Sequence, residues 1–232
     1  MNPLERASEA PRVRVLDVFG TPYVGLFASC TERFVVVPSI MTEKDAVLLG
    51  ETLDVRAVRG SVASSFLIGV MVAGNSNGLL LPSIALEEEV AGIRRELPEV
   101  RVDVLRSRLT ALGNLIAVNN KGAVVSPDFT QREIRAIEDV LSVEVVRGTV
   151  AGMKTVGSLT VVTDRVGFVT VDASDSDVEV LEEALRVEFT RVTVNDGSKF
   201  IRSGMLANGR AAVVGNRTRG PELMLISSAL AR

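Results

Sequence analysis

Residues 112–125 read LGNLIAVNNKGAVV, and this stretch decides the fold. A glycine opens a short apolar run, the turn NNKG follows at residues 119–122, and a second apolar run ends the segment. Asn and Gly tolerate the positive φ angles that tight hairpin turns require. The segment therefore predicts a β-hairpin.

The same phrase recurs along the chain at a nearly constant spacing. Gly25, Gly69, Gly113 and Gly157 follow one another at steps of 44 residues, and Gly204 comes 47 residues later. Each glycine precedes an apolar run, a polar or glycine turn, and another apolar run. Repetition at a fixed period indicates a repeat architecture. We therefore expect five similar units, with hairpins that start near these glycines.

A helix and a further strand follow each predicted hairpin. Two residue pairs have the spacing of an N-terminal capping box, Thr130 with Glu133 and Ser176 with Glu179. Apolar residues recur after each pair with a helical period. Polar and apolar residues then alternate, as at positions 143–147, which predicts a strand with one buried face. Each unit is therefore predicted to be β-β-α-β.

The fifth unit lacks the strand after its helix, and a matching strand stands at the other end of the chain. Residues 13–17 read VRVLD, the phrase that is missing after the helix near Pro221. An open solenoid needs capping repeats, and none is recognisable. We expect the N-terminal strand to close a ring of pseudo-fivefold symmetry, an α/β fold in one domain over residues 13–232, with a disordered tail at residues 1–12.

Composition bounds the partners and the compartment. The chain has 232 residues, a net charge of −3 and one cysteine, Cys30. A protein that grips nucleic acid through phosphates carries a basic excess, so free nucleic acid is not an expected partner. A single cysteine fits a reducing cytosol, and no apolar run is long enough to cross a membrane. We predict a cytoplasmic protein that does not bind membranes.

The chain contains no histidine, the commonest general base and metal ligand. Cys30 therefore lacks the base that a catalytic cysteine normally needs. Asp172, Asp175 and Asp177 alternate like cation ligands, but the glycine of an EF-hand loop is missing, and helix N-capping is the preferred role. We predict no enzyme activity, no metal site and no cofactor.

Two sets of polar residues recur in the units. Four arginines share one position in the repeat: Arg59, Arg106, Arg147 and Arg191. They either pair with carboxylates in a solvated channel or hold an anionic ligand on the axis of the ring. The glycine-rich residues 74–78 lie between strands, which favours a hairpin turn over a phosphate loop. Asparagines of the units should gather on one polar surface that a partner could bind: Asn75, Asn77, Asn114, Asn119, Asn120 and Asn208.

Four phrases resemble the translation initiation factor 6 family. They are GN with GLLLP within residues 74–82, LTALGN at 109–114, VEVVR with TVA within 143–151, and GMLAN at 204–208. The resemblance runs from about Val13 to Leu230, and the compact length is similar to archaeal members of the family.

The resemblance implies a pentein fold, a five-bladed α/β propeller that acts as a monomer. It also implies binding to the intersubunit face of the large (50S) ribosomal subunit. The partners would be chiefly ribosomal protein uL14, with neighbouring protein and the sarcin–ricin loop region nearby. A protein in that place sterically prevents association with the small subunit, and eukaryotic relatives also act in large-subunit biogenesis.

The resemblance places ribosome-facing residues just after the repeat glycines and in adjoining turns, at Val70, Ser76, Asn114 and Leu159. Eukaryotic members have arginines at the first two positions and a tyrosine at the last, and only Asn114 is kept. Together with the residue after Gly157 and the turn asparagines, the predicted ribosome-binding set is Val70, Asn75, Ser76, Asn114, Asn119, Ser158, Leu159 and Asn208.

Two other protein classes are alternatives. Pentein-fold enzymes attack guanidino compounds with a cysteine, a histidine and carboxylates, and the absence of histidine argues against this class. A sliding-clamp-like ring is also acidic and of similar length. It has two larger domains in each chain and must assemble from several chains, which the repeat of about 44 residues does not match.

Overall fold

The computed structural model describes residues 12–232, and strands are distributed along this whole stretch. In chain order they are β1 (Arg12–Leu16), β2 (Ser29–Cys30), β3 (Phe34–Pro38), β4 (Arg56–Gly60), β5 (Ala73–Gly74), β6 (Gly78–Pro82), β7 (Arg101–Leu105), β8 (Ile116–Val118), β9 (Ala123–Val125), β10 (Val145–Arg147), β11 (Thr160–Val162), β12 (Val166–Thr170), β13 (Glu188–Val192), β14 (Met205–Ala207) and β15 (Ala211–Gly215). They form five three-stranded sheets, so the fold is mixed α/β.

Long helices alternate with short helical turns, one of each in every unit. The long helices are α2 (Glu43–Leu53), α4 (Glu87–Glu96), α6 (Gln131–Leu141), α7 (Asp175–Leu185) and α9 (Gly220–Leu230). The helical turns are α1 (Val24–Phe27), α3 (Ile68–Met71), α5 (Leu112–Leu115), the 3₁₀ turn Val156–Leu159 and α8 (Ile201–Gly204). None of the helices within residues 12–232 is long and apolar enough to span a bilayer.

The unit has the predicted β-β-α-β order. In the first unit β2 pairs antiparallel with β3, α2 follows, and β4 returns parallel to β3. The other units repeat this pattern, with the middle strand at the centre of each sheet. These middle strands are buried along their whole length, because a long helix covers one side and the neighbouring unit packs on the other.

The N-terminal strand completes the last sheet, as the sequence predicts. β1 pairs parallel with β15, with Arg12 opposite Ala211 and Leu16 opposite Gly215. The strand begins at Arg12, one residue before the predicted domain boundary. The rest of the predicted disordered tail, residues 1–11, lies outside the described residues.

The repeat glycines lie in the helical turns, one to four residues before the first strand of each hairpin. A Cβ atom on Gly69 would lie 2.0 Å from the carbonyl oxygen of Gly25, and one on Gly113 would lie 2.0 Å from that of Gly69. Only glycine allows the turns to approach this closely. In the fifth unit the equivalent second position of the turn is Arg202, and Gly204 is the last residue of the turn.

The hydrophobic core lies between units as much as within them. One of the five core clusters joins Val24, Val35 and Leu49 of the first unit to Leu206 and Val213 of the fifth. A unit therefore cannot bury its apolar surface without its neighbours.

One of the two predicted capping boxes is confirmed. The hydroxyl of Thr130 accepts from the backbone N–H of Glu133 at the start of α6. The second lies two residues earlier than predicted: Ser174, not Ser176, caps α7, and Asp177 completes the box.

Candidate partner-binding surface

The five helical turns meet at one end of the molecule. α1 contacts α3 and α8, α5 contacts α3 and the turn Val156–Leu159, and that turn also contacts α8. A loop leads into each turn, as residues 61–67 lead into α3. We call the surface formed by the five turns and these loops the helical-turn face.

Large apolar side chains are exposed in the loops of the helical-turn face. They are 40–49% exposed and comprise Phe19, Tyr23, Phe66, Met153 and Phe200. Phe19 and Phe66 belong to different units, and their ring centroids lie 6.4 Å apart. The ring of Phe27 lies 5.1 Å from the first and 6.0 Å from the second. Clustered apolar exposure of this kind is typical of a surface that binds another macromolecule.

Three residues of the predicted set lie on this face. Val70, Asn114 and Ser158 are the third residues of their helical turns, and all are half-buried. The hydroxyl of Ser158 donates to the carbonyl oxygen of Thr155 at 2.7 Å. The carboxamide of Asn114 has no hydrogen-bond partner among residues 12–232, so its donor and acceptor groups are available to a partner. Leu26 and Ser203 occupy the same position in the other units.

Leu159 is a correction to the predicted set. Its side chain is 3% exposed and packs in the core with Val156 and Leu181, because the fourth residue of this turn points inward. It contributes to the stability of the turn and not to the exposed surface.

Asn75, Asn119 and Asn208 do not form the expected exposed polar surface. All three are buried in hairpin turns, at the end of the strands away from the helical turns. The Nδ2 group of Asn119 donates to the carbonyl oxygens of Thr163, at 3.0 Å, and Leu185, at 2.9 Å. Both acceptors belong to the next unit, so the asparagine joins two units.

The other two asparagines repeat this contact. Asn75 donates to the carbonyl oxygens of Asn119, at 3.0 Å, and Leu141, at 2.9 Å, and Asn208 donates to that of Leu53 at 2.7 Å. The Oδ1 atom of each accepts two backbone N–H groups of its own turn. These residues therefore use their amides to hold neighbouring units together.

Ser76 belongs to a second network between hairpin turns, and it is 8% exposed. Asn120 donates to the hydroxyl of Ser76 at 2.9 Å and to the carboxylate of Asp164 at 2.6 Å. Glu32 accepts the backbone N–H groups of Asp164, at 3.0 Å, and Gly209, at 2.9 Å. The network links hairpin turns of all five units. These contacts account for the polar residues of the turns without a binding partner.

Carboxylates at the third position of four long helices hold the loops of the helical-turn face. Glu89 accepts the backbone N–H groups of Ala63, at 2.7 Å, and Ser64, at 2.8 Å, in the loop that carries Phe66. Asp177 and Glu222 also accept backbone N–H groups of the preceding loop, and Glu133 contacts the side chain of Ser107 in its loop. The set is Glu89, Glu133, Asp177 and Glu222.

These carboxylates are stabilised in their charged form. Burial of Glu89 opposes ionisation, but N–H groups of Leu86, Ser64 and Ala63 outweigh that effect and hold its pKa below the ordinary value. Burial likewise opposes ionisation of Glu222, and its hydrogen bonds again leave the pKa lowered. The loops that carry Phe66 and Phe200 are therefore tied to charged groups.

The first strands of the five units surround a central cavity of about 30 Å³, into which Arg202 projects. The arginines that share one position in the repeat do not line this cavity, contrary to expectation, because they lie at the ends of the outer strands or just beyond. Arg59 and Arg191 instead donate to the backbone carbonyl groups of Ser39 and Ala173. They hold the loop that precedes a long helix.

Cys30 lies in the cavity wall. Burial, together with the charge of Glu32, raises the pKa of its thiol, so the nucleophilic thiolate is disfavoured. Within residues 12–232, no group of three or more His, Cys, Asp or Glu side chains is arranged to hold a metal ion. Asp172 pairs with Lys199 and Asp175 with Arg191.

Comparisons with known proteins cover nearly the whole chain. The model of the eIF-6 family matches residues 13–229. Translation initiation factor 6 of Hyperthermus butylicus is 60% identical over 220 residues, which cover 94% of this chain and 98% of that protein. The proteins of the same name from Saccharolobus islandicus (strain L.S.2.15) and Staphylothermus marinus are 39% and 36% identical, and each alignment covers 93% of this chain and at least 96% of the relative. The resemblance predicted from the repeated phrases is confirmed: this chain belongs to the eIF-6 family.

Proposed function

We propose that the chain binds the intersubunit face of the large (50S) ribosomal subunit through its helical-turn face, and that it sterically prevents association with the small subunit. The observation that carries the proposal is membership in the eIF-6 family, with relatives named translation initiation factor 6. The exposed aromatic cluster and the unpaired amide of Asn114 support the choice of surface.

The proposed partner is chiefly ribosomal protein uL14, with neighbouring protein and the sarcin–ricin loop region nearby. A net charge of −3 is compatible with docking on protein, whereas binding mainly to RNA phosphates would favour a basic surface. Five large apolar residues are exposed in the loops of the helical-turn face, which suits a protein partner.

We further propose that the units close into a ring, the five-bladed α/β propeller of the pentein fold, and that the chain acts in the cytoplasm as a monomer without catalysis. Two observations support closure: each helical turn contacts two others, and β1 completes the sheet of the last unit. Steric exclusion requires only a rigid body that binds tightly. The raised pKa of Cys30 and the absence of histidine weigh against an enzyme, and five small sheets weigh against a sliding clamp.

Sedimentation tests the proposal. Purified archaeal subunits are mixed with and without the protein and separated on sucrose gradients. The protein should travel with the large subunit and lower the yield of joined ribosomes. If it stays at the top of the gradient at low and moderate salt, the proposed function is wrong.

Variants test the choice of surface. Val70→Asp places a charge on the helical-turn face, and we expect binding to weaken about 30-fold, as for a residue near the centre of an interface. Val47→Asp is the matched control, because Val47 is 48% exposed on α2, outside the helical turns and the loops that lead into them. Equal binding by the two variants, with both folded by circular dichroism, would place the interface elsewhere.

A further inference from the structure

Arg202 breaks the symmetry of the helical turns. It stands where the other four units have glycine, and its side chain reaches two other units. Nε donates to the carbonyl oxygen of Gly69 at 3.2 Å, and Nη2 donates to the hydroxyl of Ser29 at 3.3 Å. A long cationic side chain therefore occupies the centre of the molecule, at a position where the other units have glycine, whose side chain is a single hydrogen atom.

The charge of Arg202 has no counterion within the described part of the chain. No carboxylate among residues 12–232 lies within ion-pair distance of it, and no described residue accepts a hydrogen bond from Nη1. The guanidinium group is half-buried, and the loss of hydration lowers the pKa of Arg202 to about 10, so it remains charged near neutral pH. A charge withdrawn from water is normally paired, which indicates that a group from solution balances this one.

The central cavity provides space for such a group beside Arg202. Its volume is about 30 Å³, enough for about two water molecules. None of the described residues that line it carries a carboxylate. The hydroxyl of Ser29 accepts from Arg202, so its own proton is free to donate into the cavity. A second lining hydroxyl, that of Thr160, already donates to the carbonyl oxygen of Val156.

We propose that the central cavity binds one monatomic anion, a halide such as chloride, held by the guanidinium of Arg202 and the hydroxyl of Ser29. The volume of the cavity suits a single monatomic ion. The charge of Arg202 favours an anion over neutral water. This inference does not depend on ribosome binding.

Crystallography with bromide tests the site directly. The wild-type protein is purified and crystallised in sodium bromide, and data are collected at the bromine absorption edge. We expect an anomalous difference peak in the central cavity within hydrogen-bond distance of Nη1 of Arg202. Water alone in the cavity, or bromide only at the molecular surface as an adventitious ion, overturns the proposal.

Stability measurements test it in solution. The folding constant is measured while chloride replaces gluconate at fixed ionic strength, because gluconate cannot enter the cavity. Once the chloride concentration exceeds the dissociation constant of the site, each tenfold increase in chloride should raise the folding equilibrium constant about tenfold. Arg202→Met should abolish this dependence, whereas Arg191→Met, which removes a surface arginine, should keep it. An equal chloride dependence in both variants contradicts the proposal, and if Arg202→Met does not fold, the bromide experiment decides.

Discussion

Replacing Asn119 by alanine should destabilise the protein strongly, although the residue lies in a polar turn. Its side chain is 4% exposed and makes four hydrogen bonds at 2.9–3.0 Å, two of them to the next unit. Alanine removes all four and leaves two carbonyl and two N–H groups without their partner. The contact between the third and fourth units would lose its main polar link in this turn.

The expected loss follows from the number of bonds. A neutral hydrogen bond contributes about 1 kcal/mol net, so four bonds give about 4 kcal/mol, and water that enters the turn reduces the loss to about 3 kcal/mol. The free energy of unfolding is measured with guanidinium chloride and far-ultraviolet circular dichroism, because the chain has no tryptophan. A loss below about 1 kcal/mol at an unchanged denaturant slope would refute the assigned role.

Two further variants sharpen this test. Asn77→Ala is the matched control, because Asn77 is exposed and its amide lies 3.5 Å from the carbonyl oxygen of Leu141, so we expect a change within about 0.5 kcal/mol. Asn119→Asp keeps the acceptor but places a second oxygen against two carbonyl groups, and its loss should match or exceed that of alanine. A tolerated aspartate would show that donation to the next unit is not needed.

Three other predictions follow from the fold. Gly113→Ala should lower the free energy of unfolding by more than about 3 kcal/mol, because the new methyl group would lie 2.0 Å from a backbone oxygen. Gly92→Ala places its methyl group in open space on α4, and it should raise that free energy by about 0.5–1 kcal/mol in the same unfolding assay. The lowered pKa of Glu222 adds stability that is present above the ordinary pKa of 4.5 and is lost as the pH falls below that value. Glu222→Gln should therefore reduce the dependence of the free energy of unfolding on pH in the acid range. An unchanged dependence contradicts this. Deleting residues 12–16 should abolish cooperative unfolding, while deleting residues 1–11 should leave the strand pairing intact; equal losses of stability would argue against β1 as a structural strand.

The units could be predicted from the sequence because their signals are local. The turn at residues 119–122 and the cap at Thr130 act within a few residues of themselves. The register of the fifth unit could not be predicted in this way. Arg202 replaces the repeat glycine there, and Gly204, two residues later, imitates it in the alignment.

The candidate surface was only partly visible in the sequence, because burial depends on contacts between units. Asn114 and Asn119 look equally polar in the same segment, yet one lies on the helical-turn face and the other is covered by a neighbouring unit. That cover comes from residues 44 and 66 positions away, which no local pattern reveals. Phe19 and Phe66 were a usable signal that was missed: each is a large apolar residue in a loop of small and polar residues.

The pairing of β1 with β15 also has a consequence for biosynthesis. β1 leaves the ribosomal exit tunnel before the other described strands and waits, without its sheet partner, until residues 211–215 have been translated. The contact between α1 and α8 is likewise delayed until residues 201–204 have been translated. A product that terminates before residue 201 therefore lacks the last sheet and one of the turns that form the helical-turn face.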